Sequence, residues 1–278
     1  MHEQIIKSQV EVDAIMSTTL IDMYTKCGDL SAAWQVFEET PNMNIIACNT
    51  LISGLIEQGQ CLSALNLFDR VIENGIEPSS ITLLCILKAC GNVGFLLRGE
   101  VTHDLCIRAA FESDVSIGTS LVDMYVKCGN VEEATNCFER QIDLDVVSWG
   151  AMIYGHVEIG HDNLALDMFV EMLHEGIEPT EAIFVTILQA CMNMDAIELG
   201  SLVHEYVIKT GLQIDGPIAN TLVDMYGRCG SLEDAWVVFE ANPNRDIVGC
   251  HDCCTCSAWT FFSCFGTLHE NAITNYTT

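Results

Sequence analysis

The sequence predicts an all-α fold, a right-handed superhelical solenoid of helix-turn-helix repeats. Three observations predict it. A block of residues recurs at a fixed spacing, each copy carries apolar residues at helical spacing, and no stretch alternates apolar and polar residues as a strand does. Half of the 278 residues are hydrophobic, so the chain has enough apolar side-chain area to build a continuous core.

The recurring block is nine residues long. It reads Leu-Ile-Asp-Met-Tyr-Thr-Lys-Cys-Gly from Leu20 and returns with small changes from Leu121 and from Leu222, 101 residues further on each time. Within each period, a Gly followed five residues later by an Ala recurs more closely, as in Gly28 with Ala33. The structural unit is therefore about a third of the long period.

Seven repeats are predicted after residues 1–13, which match the end of a truncated long repeat. The repeats contain 31 or 35 residues and follow the order short, long, long. Residues 247–278 form a Cys-rich tail in which the pattern is lost. In chain order, repeats 1 to 7 span 14–44, 45–79, 80–114, 115–145, 146–180, 181–215 and 216–246.

Each repeat is predicted to fold as two helices. In repeat 4, Leu121 and Tyr125 lie one turn apart on the first helix, and Phe138 belongs to the apolar face of the second. Gly129 occupies the place of a left-handed C-cap between the two helices. Asn130 followed three residues later by Glu resembles a capping box that opens the second helix.

These strings resemble the plant pentatricopeptide repeat family, in its subclass of mixed repeat lengths. The resemblance covers residues 1–246 and rests on the Met-Tyr-x-Lys-Cys-Gly core, Ala-x-x-x-Phe in the second helix, the Gly-Ile-x-Pro ending and the 31/35/35 order. Many members of this subclass carry a C-terminal deaminase domain, which needs His-x-Glu followed by Pro-Cys-x-x-Cys. That signature is missing, so we expect a truncated chain without this domain.

The resemblance implies that each repeat reads one base of single-stranded RNA, through its fifth and its last side chain. Leu84 and Val185 at the fifth place cannot hydrogen-bond a base, and Gly150 with Thr180 departs from the family pattern. From the residues alone, Asn and Asp before a helix can equally be N-caps. Four pairs resemble base readers, namely Thr18 with Asn44 for adenine, Asn49 with Ser79 for cytosine, Thr119 with Asp145 for guanine and Asn220 with Asp246 for uracil.

Lys26, Lys127 and Arg228 are equivalent residues at the end of the first helix in the short repeats. The resemblance implies contacts with the RNA backbone, although a cation there also interacts favourably with the helix dipole. Glu57 and Glu158 fill the matching place in two long repeats. Together with the net charge of −28, they predict weak, salt-sensitive RNA binding.

Cys253 and Cys256 have the spacing of zinc ligands, and His251 is near them in sequence. No second pair follows, so the segment reads equally well as translated intron or frameshifted sequence, and we predict no metal and no other cofactor. His103 and His204 are equivalent in the repeat, as is His2, and we expect packing or capping roles for them. No catalytic constellation is present, and we predict that the chain is not an enzyme.

The sequence thus predicts a sequence-selective binder of single-stranded organellar RNA in RNA processing or cytidine-to-uridine editing, with editing-complex proteins as further partners and no membrane. One alternative is a protein-binding helical scaffold, which the acidic net charge favours. Another is a non-functional truncated fragment. The chain shows no transit peptide, and we expect its full-length parent in the mitochondrion or the chloroplast, with the mitochondrion preferred.

Overall fold

The computed structural model describes residues 14–40, 44–111, 114–141, 144–212 and 216–241, and all regular structure within these ranges is helical. The chain divides into two compact bodies, an N-terminal body of residues 1–155 and a C-terminal body of residues 156–278. The described helices are α1 (Ala14–Lys26), α2 (Leu30–Glu39), α3 (Ile45–Glu57), α4 (Cys61–Glu73), α5 (Ser80–Val93), α6 (Leu96–Arg108), α7 (Val115–Lys127), α8 (Val131–Glu139), α9 (Val146–Glu158), α10 (Asp162–His174), α11 (Glu181–Asn193), α12 (Ile197–Thr210), α13 (Gly216–Arg228) and α14 (Leu232–Ala241).

The odd-numbered helices are the first helices of helix-turn-helix pairs, and each begins at the first residue of a repeat drawn from the sequence. In the N-terminal body, α1, α3, α5 and α7 pack side by side in chain order, and each also packs on the helix that follows it. In the C-terminal body, α11 packs on α13 in the same way. The predicted all-α architecture of stacked helical hairpins is confirmed within each body.

The turn between the two helices of repeat 4 is a Schellman motif, as Gly129 predicted. Gly129 has a φ of 77°, which is in the left-handed region that glycine tolerates without a steric penalty. Its N–H donates to Val126 O at 2.9 Å, and the N–H of Asn130 donates to Tyr125 O at 2.9 Å. These two bonds end α7 and fix the direction in which α8 begins.

The predicted capping box at the start of α8 is only half formed. Asn130 Oδ1 accepts from the N–H of Glu133 at 3.2 Å, as a cap should. The return bond from the Glu133 carboxylate to the Asn130 N–H is not made, because the Schellman bond to Tyr125 already uses that N–H. The Glu133 carboxylate accepts from Asn136 Nδ2 at 3.3 Å instead.

The Met-Tyr pair of the nine-residue block lies in the core. Met124 and Met225 are fully buried, and the rings of Tyr125 and Tyr226 are almost so. Tyr125 OH hydrogen-bonds His103 Nδ1 at 2.9 Å, and the equivalent pair of Tyr226 and His204 lies at 3.1 Å. These two histidines therefore join the second helix of a long repeat to the first helix of the next short repeat, as the packing role predicted. His2 lies outside the described residues.

Among the described residues, none of the helices is long and apolar enough to cross a membrane. The longest of them contain 14 residues, as in α5, whereas a transmembrane helix needs about 20 apolar residues.

Candidate nucleic-acid interface

The first helices carry the predicted base-reading side chains on their first turn and a half. The last residue of each repeat directly precedes the first helix of the next, so the two predicted readers of one repeat approach each other across neighbouring first helices. Thr18, Asn49 and Asn220 are half-buried, and Thr119 is 9% exposed.

Asn49 and Ser79 of repeat 2 are joined directly, since Asn49 Nδ2 donates to Ser79 Oγ at 3.1 Å. Ser79 is also the N-cap of α5, where it accepts from the N–H of Thr82 at 3.3 Å. The Thr82 hydroxyl, which is fully buried, donates to Asn49 Oδ1 at 2.7 Å. Sequence reasoning identified the pair but missed Thr82.

Thr119 and Asp145 of repeat 4 are also brought together, at a longer Oγ1 to Oδ1 distance of 3.4 Å. Asp145 Oδ1 accepts from the N–H of Ser148 at 2.8 Å and so caps α9. The fully buried Ser148 hydroxyl lies 2.9 Å from Thr119 Oγ1 and 3.3 Å from Gln141 Oε1. Ser148 is a second contact that the sequence pattern did not reveal.

The last residues of repeats 1, 3 and 4 are N-caps of the first helix that follows them, as the N-cap interpretation predicted. They are Asn44, Asp114 and Asp145. Asn44 accepts from the N–H of Ala47 at 2.8 Å, and Asp114 accepts from that of Ser116 at 2.9 Å. Capping does not preclude a second role, because each of these side chains has further acceptor capacity. Asp246, the predicted partner of Asn220, lies outside the described residues.

A line of exposed aliphatic side chains accompanies the reading positions in the N-terminal body. Each is the second residue of a first helix, and residues at i and i+3 share a helix face, so each lies beside a fifth-place residue. The β-branched residue at the second place of these repeats was the signal that sequence reasoning overlooked. The exposed fractions are 75% for Ile15, 65% for Ile46, 59% for Ile81 and 56% for Val147.

The three predicted backbone-binding cations are held in ion pairs by the aspartate of their own nine-residue block. Lys26 Nζ lies 2.8 Å from Asp22 Oδ2, and Lys127 Nζ lies 2.7 Å from Asp123 Oδ2. Arg228 Nε lies 3.1 Å from Asp224 Oδ2. Each pair has i, i+4 spacing and is solvent-exposed at its cation, so the attraction is modest and leaves the cation able to exchange partners.

The charge environment of Lys26 shows how strongly acid residues occupy this surface. Its pKa is raised by the hydrogen bond to Asp22, then by the charge of Asp22, and further by Glu57. Glu57 is exposed at the matching place of repeat 2, where the sequence predicted that it would repel phosphate.

Family models match most of the described chain. The model of the PPR repeat family matches residues 43–92, the pentatricopeptide repeat domain matches 134–194, and the PPR repeat matches 15–45, 119–140 and 218–241. The chain belongs to the pentatricopeptide repeat family. The resemblance to this family, drawn from the sequence motifs, is thereby confirmed.

Curated relatives are plant pentatricopeptide repeat proteins of greater length. A chloroplastic pentatricopeptide repeat-containing protein of Arabidopsis thaliana is 34% identical over 89% of this chain and 40% of its own length. A mitochondrial one from the same plant is 34% identical over 89% of this chain and 39% of its own length. The chain therefore spans about two fifths of the length of these relatives.

The solved structures with a similar fold are also pentatricopeptide repeat proteins. PPR10 from maize superposes with a TM-score of 0.63 at 17% identity, over 82% of this chain and 34% of PPR10. PPR10 in complex with an 18-nt psaJ RNA element gives a TM-score of 0.54 at 17% identity, over 86% of this chain and 41% of that chain. At this identity the likeness establishes the shared helical-repeat fold.

Most cysteines that the structure describes are buried packing residues, although Cys27 is exposed. Burial raises the pKa of Cys90 to about 12 and that of Cys191 to about 11, so both thiols stay protonated and weakly nucleophilic at neutral pH. Within the described ranges, no three His, Cys, Asp or Glu side chains are grouped as a metal site requires. The candidate zinc ligands Cys253 and Cys256 lie outside those ranges.

Proposed function

We propose that this chain binds single-stranded RNA sequence-selectively, one base to a repeat. The observation that carries the proposal is the direct hydrogen bonding of the fifth-place to the last-place side chain of the same repeat, from Asn49 to Ser79 and from Thr119 to Asp145. Membership of the pentatricopeptide repeat family supports it, as does the fold shared with a protein solved in complex with an RNA element.

The surface offers the two kinds of contact that a single-stranded base requires. The exposed aliphatic side chains of Ile15, Ile46, Ile81 and Val147 supply apolar area for the faces of bases, a contact that tolerates any sequence. In repeats 1 and 2, the neighbouring fifth-place hydroxyl of Thr18 or amide of Asn49 supplies hydrogen bonds to the base edge, which distinguish one base from another. Repeats 3 and 6, with Leu84 and Val185 at that place, would contact a base without selecting it.

Lys26, Lys127 and Arg228 are the proposed contacts with the RNA backbone. Because each already pairs with an aspartate, a phosphate must compete for the cation, and little affinity is gained from each contact. This competition is consistent with the weak, salt-sensitive binding that the net charge predicts.

The biological role that fits these properties is target recognition in organellar RNA processing or cytidine-to-uridine editing. Two relatives carry chloroplastic and mitochondrial designations in their names, which supports an organellar location. We propose that the chain recognises RNA and that other proteins of an editing complex supply the chemistry. A protein-binding scaffold is the second candidate, and the net charge of −28 is the observation that favours it.

A binding titration tests the proposal. The purified chain is titrated against a short RNA with the base order A, C, any, G, any, any, U, against a shuffled RNA and against the matching DNA, over a series of salt concentrations. We expect preferential binding of the designed RNA, with the preference lost in Thr119→Val and in Asn220→Leu.

Thr50→Val provides the matched control. Thr50 follows Asn49 on α3, and its hydroxyl bonds Ile46 O of its own helix at 2.9 Å, so its removal should leave the preference unchanged. Equal binding to all three nucleic acids, or none at low salt, would overturn the proposal in favour of the protein scaffold or an inactive fragment.

A further inference from the structure

Each polar fifth-place residue that forms a network in the N-terminal body contacts the third residue of the following repeat. Asn49 contacts Thr82, the third residue of repeat 3, and Thr119 contacts Ser148, the third residue of repeat 5. Both partners are fully buried hydroxyl residues. A buried hydroxyl is retained at low free-energy cost only where it forms hydrogen bonds, so its partner defines its role.

In the network around Asn49, the amide and the two hydroxyls of Ser79 and Thr82 form a closed ring of hydrogen bonds. With the amide as the structure places it, Asn49 Oδ1 accepts the hydroxyl proton of Thr82 at 2.7 Å. The bond of 3.0 Å between Thr82 and Ser79 must then take its proton from Ser79. Ser79 Oγ in turn accepts from Asn49 Nδ2. The amide of Asn49 is held at both ends, with its oxygen toward repeat 3.

The network around Thr119 commits a hydroxyl proton in a similar way. Asp145 Oδ1 and Gln141 Oε1 can only accept. The two hydroxyl protons of Thr119 and Ser148 therefore point either from Thr119 through Ser148 to Gln141, or from Ser148 through Thr119 to Asp145. In both cases the proton of Thr119 is used within the protein, and only its lone pairs face a ligand.

Helix capping does not account for both hydroxyls. The Thr82 hydroxyl also accepts from the N–H of Ser79 at 3.1 Å and so completes a capping box. The Ser148 hydroxyl makes no such bond among the described residues, since its contacts are Thr119 and Gln141. Its proximity to the fifth-place residue is therefore the feature that the two sites share.

The pattern extends along the sequence. Where the fifth-place residue is Leu84, Gly150 or Val185, which have no polar side-chain atom, the third residue of the next repeat is an isoleucine. These three residues, Ile117, Ile183 and Ile218, are buried within their own bodies. A hydroxyl at this place thus follows Asn49 and Thr119 and none of the three fifth-place residues without a polar side-chain atom, whereas Thr18 is followed by Ala47.

We propose that Thr82 and Ser148 are positioning residues that determine base selectivity, an inference that rests on the proposed RNA binding. Thr82 and Ser79 hold the two ends of the Asn49 amide, and Thr82 thereby fixes the plane in which the amide meets a base. Ser148, together with Asp145, keeps the proton of the Thr119 hydroxyl within the protein, so this hydroxyl acts as an acceptor and fits base edges that donate, such as N1–H and N2–H₂ of guanine. Without these hydroxyls, each fifth-place side chain can rotate away from the orientation that suits its base and so discriminates less between bases.

Each positioning residue should affect the recognition of one base only, Thr82 that of the second base and Ser148 that of the fourth. The test compares the two bases. Dissociation constants are measured for the designed RNA and for RNAs with the second or the fourth base replaced, using the wild-type chain and three variants. We expect Thr82→Val to lower discrimination at the second base about fivefold, and Ser148→Ala to lower it at the fourth base about fivefold, the value of one neutral hydrogen bond.

Thr82→Ser keeps the hydroxyl and should retain wild-type discrimination. Loss of folding in a variant would weaken binding to all RNAs alike, so a change confined to one base supports the proposal. Equal changes at both bases would overturn this inference and leave the proposed RNA binding intact. Unchanged discrimination in Thr82→Val and Ser148→Ala, in an assay where the wild type discriminates, would do the same. A wild-type chain that discriminates at neither base overturns the proposed function together with this inference.

Discussion

At the scale of single residues, the polar side chains of the first helices are largely committed before a ligand binds. Asn49 and Thr119 form hydrogen bonds with Thr82 and Ser148 of the neighbouring repeats, and the hydroxyl of Thr50 bonds its own helix. A reader held in one orientation loses less conformational entropy on binding and discriminates more sharply between bases.

His204 should make the stability of the chain depend on pH. Burial lowers its pKa below the ordinary value of 6.5, and this effect outweighs the nearby charges of Asp234 and Glu205. Below about pH 6.5 the unfolded chain binds a proton that folded His204 does not, so stability falls as the pH decreases through that window. We expect urea unfolding between pH 7 and pH 5.5 to show a smaller loss of stability in His204→Gln than in wild type.

His174→Gln is the control for this prediction, because His174 is exposed on α10. That variant should follow the wild-type pH profile. An identical profile for His204→Gln would mean that the protonation of His204 does not differ between the folded and unfolded states.

Among single residues, the sequence predicted positions better than partnerships. The fifth and last places could be numbered because the repeat has a fixed register, and the resemblance supplied their role. Thr82 and Ser148 were missed because they contact residues 33 and 29 positions earlier, across a helix–helix interface whose geometry no local pattern encodes. Asp22 lies only four residues before Lys26, and the i, i+4 rule could have found that ion pair.

At the scale of elements, the helix ends were predictable because their chemistry is local. Gly129 and its surrounding hydrogen bonds involve residues at most five positions apart. The capping box at Asn130 was predicted wrongly because two local motifs compete for one N–H, and the sequence gives no ranking between them. The close approach of neighbouring first helices was not predicted at all, since it depends on small residues at the interface.

Gly54 tests that close approach. It lies in α3 against Thr25 of α1, and a Cβ at this position would overlap the Cβ and Cγ2 of Thr25. Because the Cβ of Thr25 is fixed by its backbone, Gly54→Ala must separate the two helices, and we expect a loss of about 1–3 kcal/mol in the free energy of unfolding, measured by urea denaturation.

Gly227→Ala should have the opposite sign. Gly227 lies in α13, and a methyl group at this position would have no atom within 4 Å, so alanine gains helix propensity without a clash. We expect it to stabilise α13 by about 0.5–1 kcal/mol.

If Gly54→Ala were as stable as wild type, the helix spacing in the N-terminal body would be wider than the structure shows.

At the scale of the whole molecule, the net charge of −28 limits nucleic-acid binding more than any other property. The sequence established this total, and the structure adds that aspartates of the recurring block pair with the candidate RNA-binding cations. Asp22, Asp123 and Asp224 therefore reduce the positive charge at the points where a backbone phosphate would bind. Their effect is local and can be separated experimentally from that of overall acidity.

Removing the carboxylate charge of Asp123 should strengthen RNA binding by releasing Lys127. An exposed ion pair is worth up to about 1 kcal/mol, so we expect Asp123→Asn to bind the designed RNA about two- to fivefold more tightly at low salt. Because the released cation contacts a phosphate, the dependence of affinity on salt should also become steeper. Fluorescence anisotropy over a series of salt concentrations measures both effects.

Two further experiments test whether the gain in RNA affinity comes through Lys127. Asp104→Asn makes the same change in net charge on the exposed surface of α6, a second helix, and should alter affinity less than Asp123→Asn does. In a Lys127→Gln chain, Asp123→Asn should bring little further gain, because no cation is left to release. An equal gain from Asp104→Asn, or a gain that persists without Lys127, would show that total charge controls binding and that the ion pair does not.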